Sequence, residues 1–506
     1  MSIQKKVLLN TGSQIYMALL AVVTLPFYIS LMGKQAYGLI AFFIQLQTAI
    51  SILDVGVSAT VSRNMTLFKV GKLSRRDFLE SSRSLEFVFY LVGIIVLLCG
   101  LCLTGWITSS WLEIEDFDPI LAQNAVKMIV IVVVLRWLQT FYRAAIFGAE
   151  RIEWVSWFNI FISTIRVVAV IPFLIVIEGN VLDFFIFQIA INFVELSILF
   201  FMVNYLVGYS KSERFGIIRG YSIILAVKSS AVIGFTSLIW TVIAQVDKFI
   251  ASGVTSLTAY AAYSIVITVA SVMVLLSAPL IYAIGPMMAR LIAQQQVDEA
   301  VSLFRNATLF TVLLLSAAFA VTILWGTELL LAWTNDEELV ELAHPLLPAY
   351  LSGTFFFALN YLSYSINYAL GDFSRRLKYS LVTVVIYIPI LLLACHYFNE
   401  YGLIYSWLMV NVLFFFVAQP LLYNQLKFEL FRQSLFSDII LPFIGCFGIV
   451  VLTYFIDLKQ WQRWQILVVL GFMFFLSLGL GLICSRARLF VKPFISKLFG
   501  KACHGF

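Results

Sequence analysis

Seven ionisable side chains of this sequence lie inside long apolar runs: Asp54, Arg136, Arg166, Glu195, Lys228, Asp247 and Lys248. A charge within a lipid-spanning segment is expensive, so it faces a partner or a wet cavity. The two arginines nearest mid-depth, Arg136 and Arg166, are matched there by one acid, Glu195. An anionic ligand would neutralise the excess. Phosphate suits arginine, whose planar fork donates two parallel hydrogen bonds. Lys228 and Lys248 are candidate further cations. Asp54, Glu195 and Asp247 are candidates for tuning those charges or carrying a coupling ion. A structural account competes with this one: Arg166 and Glu195 could brace two helices as a buried pair, and Asp247 could answer its neighbour Lys248.

The neighbours of these charges fall at helical spacing. Gln47, Ser51, Asp54, Ser58 and Ser62 follow one another at steps of three or four, as do Arg136, Gln139 and Arg143, then Gln188, Asn192 and Glu195, and again Asn360, Tyr364 and Asn367. Residues three and four apart share a helix face. Several helices therefore turn polar stripes toward one another or toward water.

The elements that carry these stripes are read from composition. Of 506 residues, 62% are hydrophobic and 12% charged, and the mean hydropathy is +0.98. A span needs about 20 apolar residues. Fourteen runs qualify, at 13–32, 38–62, 86–107, 125–147, 156–177, 183–207, 223–250, 259–288, 305–326, 346–370, 379–398, 402–424, 437–456 and 465–484. Backbone groups cannot go unpaired in lipid, and no run alternates as a barrel strand does, so the expected fold is an all-α polytopic membrane protein.

Charge orients the chain. With a cytoplasmic N-terminus, 25 of the 33 basic residues fall on the inner side, and only Lys34, Lys459 and Arg463 on the outer. An even span count with both termini inside satisfies the positive-inside rule. The outer loops "WLEIEDFDP" (111–119) and "TNDEELVELA" (334–343) are acidic. The net charge of +6 thus reports topology and gives no reason to expect nucleic acid. No cleavage site follows Lys5 and Lys6, so the first span does not read as a signal peptide. "CGLC" (99–102) sits in an apolar run and reads as packing. His344, His396 and His504 are scattered, so neither metal nor cofactor is expected. No nucleotide-binding loop appears, and the short outer loops hold no acid, base and nucleophile arrangement, which argues against an enzyme.

A repeat divides the chain. Tyr37 and Tyr260, in "LMGKQAYGLIAF" and "GVTSLTAYAAYSI", are offset by 223, as are Gly148 and Gly371. Six spans per copy make parallel repeats, an architecture in which a site lies between halves. The expected organisation is an N-lobe (1–210), a cytoplasmic linker (211–222), a C-lobe (223–425), spans thirteen and fourteen (426–490) and a cytoplasmic tail (491–506).

The opening "LLNTGSQIYMALLAVVTLPFYISLMGKQAYGLIAFFIQLQTAISILDVGVSATVSRNM" resembles the start of polysaccharide flippases, the Wzx-type O-antigen and capsule exporters of the MOP superfamily. The likeness rests on Asn10, Gly12, Pro26, the Gly33 to Tyr37-Gly38 turn, and Asp54 with Gly56. "AQVDKFIASGVTSLTAYAAYSIVITV" (244–269) resembles the family's D-x-F-I stretch, with Ala259 where the family usually has glycine. The resemblance implies a two-lobed transporter of the bacterial inner membrane with a cationic cavity. Its cargo would be an undecaprenyl-diphosphate-linked glycan, with a coupling proton or sodium ion, a polysaccharide polymerase and a chain-length regulator as candidate partners. Two alternatives belong to the same superfamily. A lipid II flippase would also want a cationic cavity, whereas a multidrug exporter of organic cations would want an acidic, aromatic one.

Overall fold

Local signals set where the helices begin and end. Asp118 accepts a hydrogen bond from the Ile120 N–H, and Pro119 opens the helix that follows. Asn180 and Asp183 form a capping box at a later span, which closes on Gly208 in the left-handed region (φ 66°). Such caps satisfy the end groups that a helix leaves unpaired.

The computed structural model describes residues 3–486, apart from 52–53, 55–56, 113–116, 209–238, 240, 371–373, 454, 456–457 and 459–460. Lys228, the expected linker and the expected tail therefore lie outside the described residues. The chain divides into two compact units, Met1–Ala261 and Ala262–Phe506. Every regular element described is a helix.

The first unit holds α1 (Ile3–Met32), α2 (Lys34–Ser51), α3 (Val57–Lys69), α4 (Arg75–Trp106, extended by a π turn at Ile107–Trp111) and α5 (Pro119–Gly148). Next comes one span made of α6 (Ile152–Thr164), a π segment (Ile165–Ala169) and α7 (Val170–Ile177), followed by α8 (Val181–Val207) and α9 (241–254). Its core gathers around α5. Trp137 stacks on Phe89 with ring centroids 4.3 Å apart, among Leu85, Phe141, Leu199 and Val203. At α2, Gly38 lies so near the Leu257 carbonyl that a Cβ would collide with it, and Gln45 Nε2 donates to Gln245 O at 3.2 Å. These contacts hold α9 and the first residue of the following helix, Leu257, against α2.

The helix α10 (Leu257–Ala293) begins in the first unit and runs into the second. The second unit continues with α11 (Val297–Leu324), α12 (Gly326–Thr334), α13 (Glu337–Ala343), α14 (Leu347–Tyr361), α15 (Ser363–Leu370) and α16 (Ser374–Leu413, continued by a π turn at Phe414–Ala418). It ends with α17 (Gln419–Tyr423), α18 (Leu430–Ser434, continued by a π turn at Leu435–Ile440), α19 (Leu441–Thr453) and α20 (Arg463–Cys484). Val450, Leu470 and Met473 pack α19 and α20 against Ala320 and Val321 of α11.

Ten of the described helices or helix runs are long and apolar enough to cross a membrane, or eleven if α13 and the α14–α15 run, bent by 59°, make one span. The expected fourteen are compatible with this. The run Leu377–Tyr423 contains the expected eleventh and twelfth spans, joined through Asn399 in the left-handed region (φ 48°). The expected second span is split into α2 and α3, and the seventh lies largely outside the described residues.

Candidate functional site

Three polar stripes meet in the first unit. On α5, Arg136, Gln139 and Arg143 share a face, and opposite them α8 presents Gln188, Asn192 and Glu195. All three α8 residues are buried, with Asn192 and Glu195 fully so. Gln139 Nε2 donates to Asn192 O (3.0 Å) and Oδ1 (3.3 Å), and Asn192 Nδ2 donates to Gln188 O at 2.7 Å. These amide bonds set the register of α5 on α8.

The charges are arranged around that amide ladder. Glu195 accepts from two arginines, Arg143 on one carboxylate oxygen and Arg166 on the other. Arg143 also donates to Asn159 Oδ1 of α6. Arg136 donates through Nε to Asn192 Oδ1 at 3.3 Å and through Nη1 to Gln47 Oε1 of α2. Its guanidinium lies over the Phe43 ring, 4.9 Å from the centroid, a cation–π arrangement. Among the described residues no carboxylate lies within ion-pair distance of Arg136. Two guanidiniums thus hold the one carboxylate and a third, Arg136, bonds to amides beside it, leaving two positive charges in excess on this set of side chains.

Arg166 is aimed by unusual backbone. It sits in the π segment between α6 and α7, and π turns inside α-helices recur at functional sites. The carbonyls there are taken by side chains from other helices: Gln188 Nε2 donates to Arg166 O (3.1 Å) and Tyr28 Oη to Val167 O (2.6 Å). The Arg166 Nε is buried with no hydrogen-bond partner.

The remaining candidates lie elsewhere. Asp54 stands between α2 and α3, where Oδ1 accepts from the Ser58 N–H at 2.9 Å. The stripe Gln47–Ser62 is therefore divided between two helices, with Asp54 capping the second. Among the described residues Asp54 makes no ion pair with the arginines. Asp247 and Lys248 are adjacent on α9. Lys248 Nζ lies 3.2 Å from Asp247 Oδ1 and also donates to the Ala244 carbonyl, and Asp247 is fully buried.

The structure thus brings together Arg136, Arg166 and Glu195. To them it adds Arg143, Gln47, Asn159 and Asn192, which sequence alone does not assign to a site. Arg143 shares the stripe of Arg136 and Gln139, and that periodicity is the available signal. Its place near the end of a span counts it among the cytoplasmic charges instead.

Three solved structures share this fold. The lipid II flippase MurJ, in an inward closed conformation, superposes with a TM-score of 0.69 at 13% identity, covering 96% of this chain and 100% of that one. The multidrug transporter DinF-BH of the MATE class gives 0.61 at 16%, covering 85% and 97%. The Vibrio cholerae MATE transporter VcmN, in a mutant form, gives 0.57 at 15%, covering 85% and 98%. No protein of curated function matches the sequence. The MatE family model matches residues 233–393. The model described as "Polysaccharide biosynthesis protein" matches residues 3–292, more than half of the chain and all of the α5–α8 site. A multi-pass helical membrane protein with this match over more than half of its length belongs to the polysaccharide biosynthesis protein family.

Proposed function

We propose that the protein moves an undecaprenyl-diphosphate-linked oligosaccharide, a repeat unit of O-antigen, capsule or exopolysaccharide, from the inner to the outer leaflet of the bacterial cytoplasmic membrane by alternating access. In this reading both termini are cytoplasmic. Arg136 and Arg166 hold the diphosphate, Lys228 and Lys248 add positive charge, and Asp54, Glu195 and Asp247 tune those cations or carry a coupling ion. The observation that carries the reading is Arg136: a guanidinium in a membrane-spanning helix whose hydrogen-bond partners, Gln47 and Asn192, are neutral. Membrane burial of a charge is costly enough that such a group marks a ligand path, and a diphosphate offers the charge-assisted, forked bonds that an amide oxygen does not.

The test is surface glycan display in cells carrying Arg136→Ala. Display is expected to fall at least tenfold while the amount of protein in the membrane is unchanged; normal display would refute the assignment. Two arms separate the alternatives. Rescue of cells depleted of their cell-wall precursor flippase would favour lipid II as cargo, and raised tolerance to cationic drugs would favour multidrug export.

A further inference from the structure

Glu195 is the carboxylate that Arg143 and Arg166 both hold. Each of its two oxygens accepts from a different guanidinium, Arg143 from α5 and Arg166 from the π segment, so one side chain bridges two helices at once. The carboxylate itself is fully buried, whereas the Arg143 and Arg166 side chains keep 22% and 13% of their surface open. Both arginine side chains thus keep some surface that the carboxylate does not cover. Most of their donors remain uncommitted, because arginine carries five N–H groups, of which Glu195 takes one from each and Asn159 a second from Arg143. The Arg166 Nε, buried and without a partner, is a spare donor already in place.

We infer that Glu195 is an internal stand-in for the transported anion: it occupies Arg143 and Arg166 when the site is empty and yields them to the incoming diphosphate. Arg143 thereby becomes a third phosphate-binding residue. The inference rests on the reading of this cluster as the diphosphate seat. Two physical needs point to it. Three guanidiniums left bare in a membrane would be costly between cycles, and a cluster that bound diphosphate without competition would not let it go. A carboxylate tethered beside the cations answers both, since it covers Arg143 and Arg166 again as the anion leaves. A diphosphate carries more charge and more acceptor oxygens than one carboxylate, so the exchange favours the ligand on entry.

The experiment measures binding of inorganic pyrophosphate by the purified full-length protein in lipid nanodiscs. Glu195→Gln removes the competitor and is expected to tighten binding about tenfold, within the usual range of coupling between two sites. Glycan display in cells should fall, because the anion is retained. A second pair guards against misfolding: Arg143→Gln is compared with Arg143→Gln/Glu195→Gln, in which the excess positive charge equals that of the native cluster. The double variant should again bind more tightly than the single. If the native protein binds pyrophosphate and loss of the carboxylate leaves affinity equal or weaker in both backgrounds, the stand-in role is overturned and Glu195 is a brace. If the native protein and Arg136→Ala alike fail to bind, the diphosphate seat itself fails, and this inference with it.

Discussion

The fourth and sixth expected spans, α5 and α8, form one helix pair in the first unit; the tenth and twelfth, α14 and the later part of α16, form another in the second. Both pairs are joined by buried amides. In the second unit Asn360 Nδ2 donates to Asn411 O at 3.0 Å, and Gln419 Nε2 donates to Asn360 O (2.9 Å) and Oδ1 (3.2 Å). That is the chemistry of Gln139 and Asn192 repeated, and it is entirely neutral. At the repeat offset of 223, Arg136 becomes Leu359, Arg143 becomes Ile366 and Glu195 becomes Ala418. Neutral amides therefore suffice to join such a pair in a membrane, at about 0.6 kcal/mol per interhelical bond. A charge at the centre of a spanning helix costs about 3 kcal/mol to insert. Helix packing does not explain the guanidiniums of the first unit, which is why they are read as functional.

The comparison can be broken by giving the second unit what the first has. Leu359 is buried. Leu359→Arg is expected to remove most of the protein from the membrane fraction, as read by immunoblot. An unchanged level would mean that arginine is tolerated in either pair and says little about function.

A smaller effect separates a buried charge from a buried network. Glu195→Ala leaves Arg143 and Arg166 facing each other across an empty site and should destabilise the protein by about 3–5 kcal/mol. Replacing Arg143, Glu195 and Arg166 together with leucine should restore most of that loss, because a whole ion cluster exchanged for packed apolar side chains is often neutral or better. Thermal unfolding in detergent measures both. The triple variant should stay inactive in glycan display.

The smallest effect sharpens the contrast. Asn360→Ala, in the neutral pair, removes two interhelical bonds and should cost about 1.2 kcal/mol in the same unfolding measurement and leave glycan display within twofold of native. A large loss of display would assign the second pair a part in transport.

Much of this was legible in the sequence. Apolar run lengths placed the helices, and three-and-four spacing placed Arg136 with Gln139 and Gln188 with Glu195 on common faces. What periodicity does not carry is which face meets which. Gln47 lies 89 residues before the arginine it receives, and nothing local links them. Asp54 illustrates a second limit: the hydropathy of 38–62 is continuous, so it hides the break that makes Asp54 a helix cap. At Asn399 the backbone turns within one residue, between the two helices that the eleventh and twelfth apolar runs predict.

The π turn at Ile165–Ala169 is an α-helix with one residue too many, and each residue turns a helix by about 100°. The surplus residue therefore works as an angular offset: it swings Arg166 around its own helix axis while both ends of the span stay where α1 and α8 grip them. Shortening that stretch by one position would leave every charge in the protein and turn one of them away from its partners on α5 and α8, so the site depends on chain length as much as on chemistry.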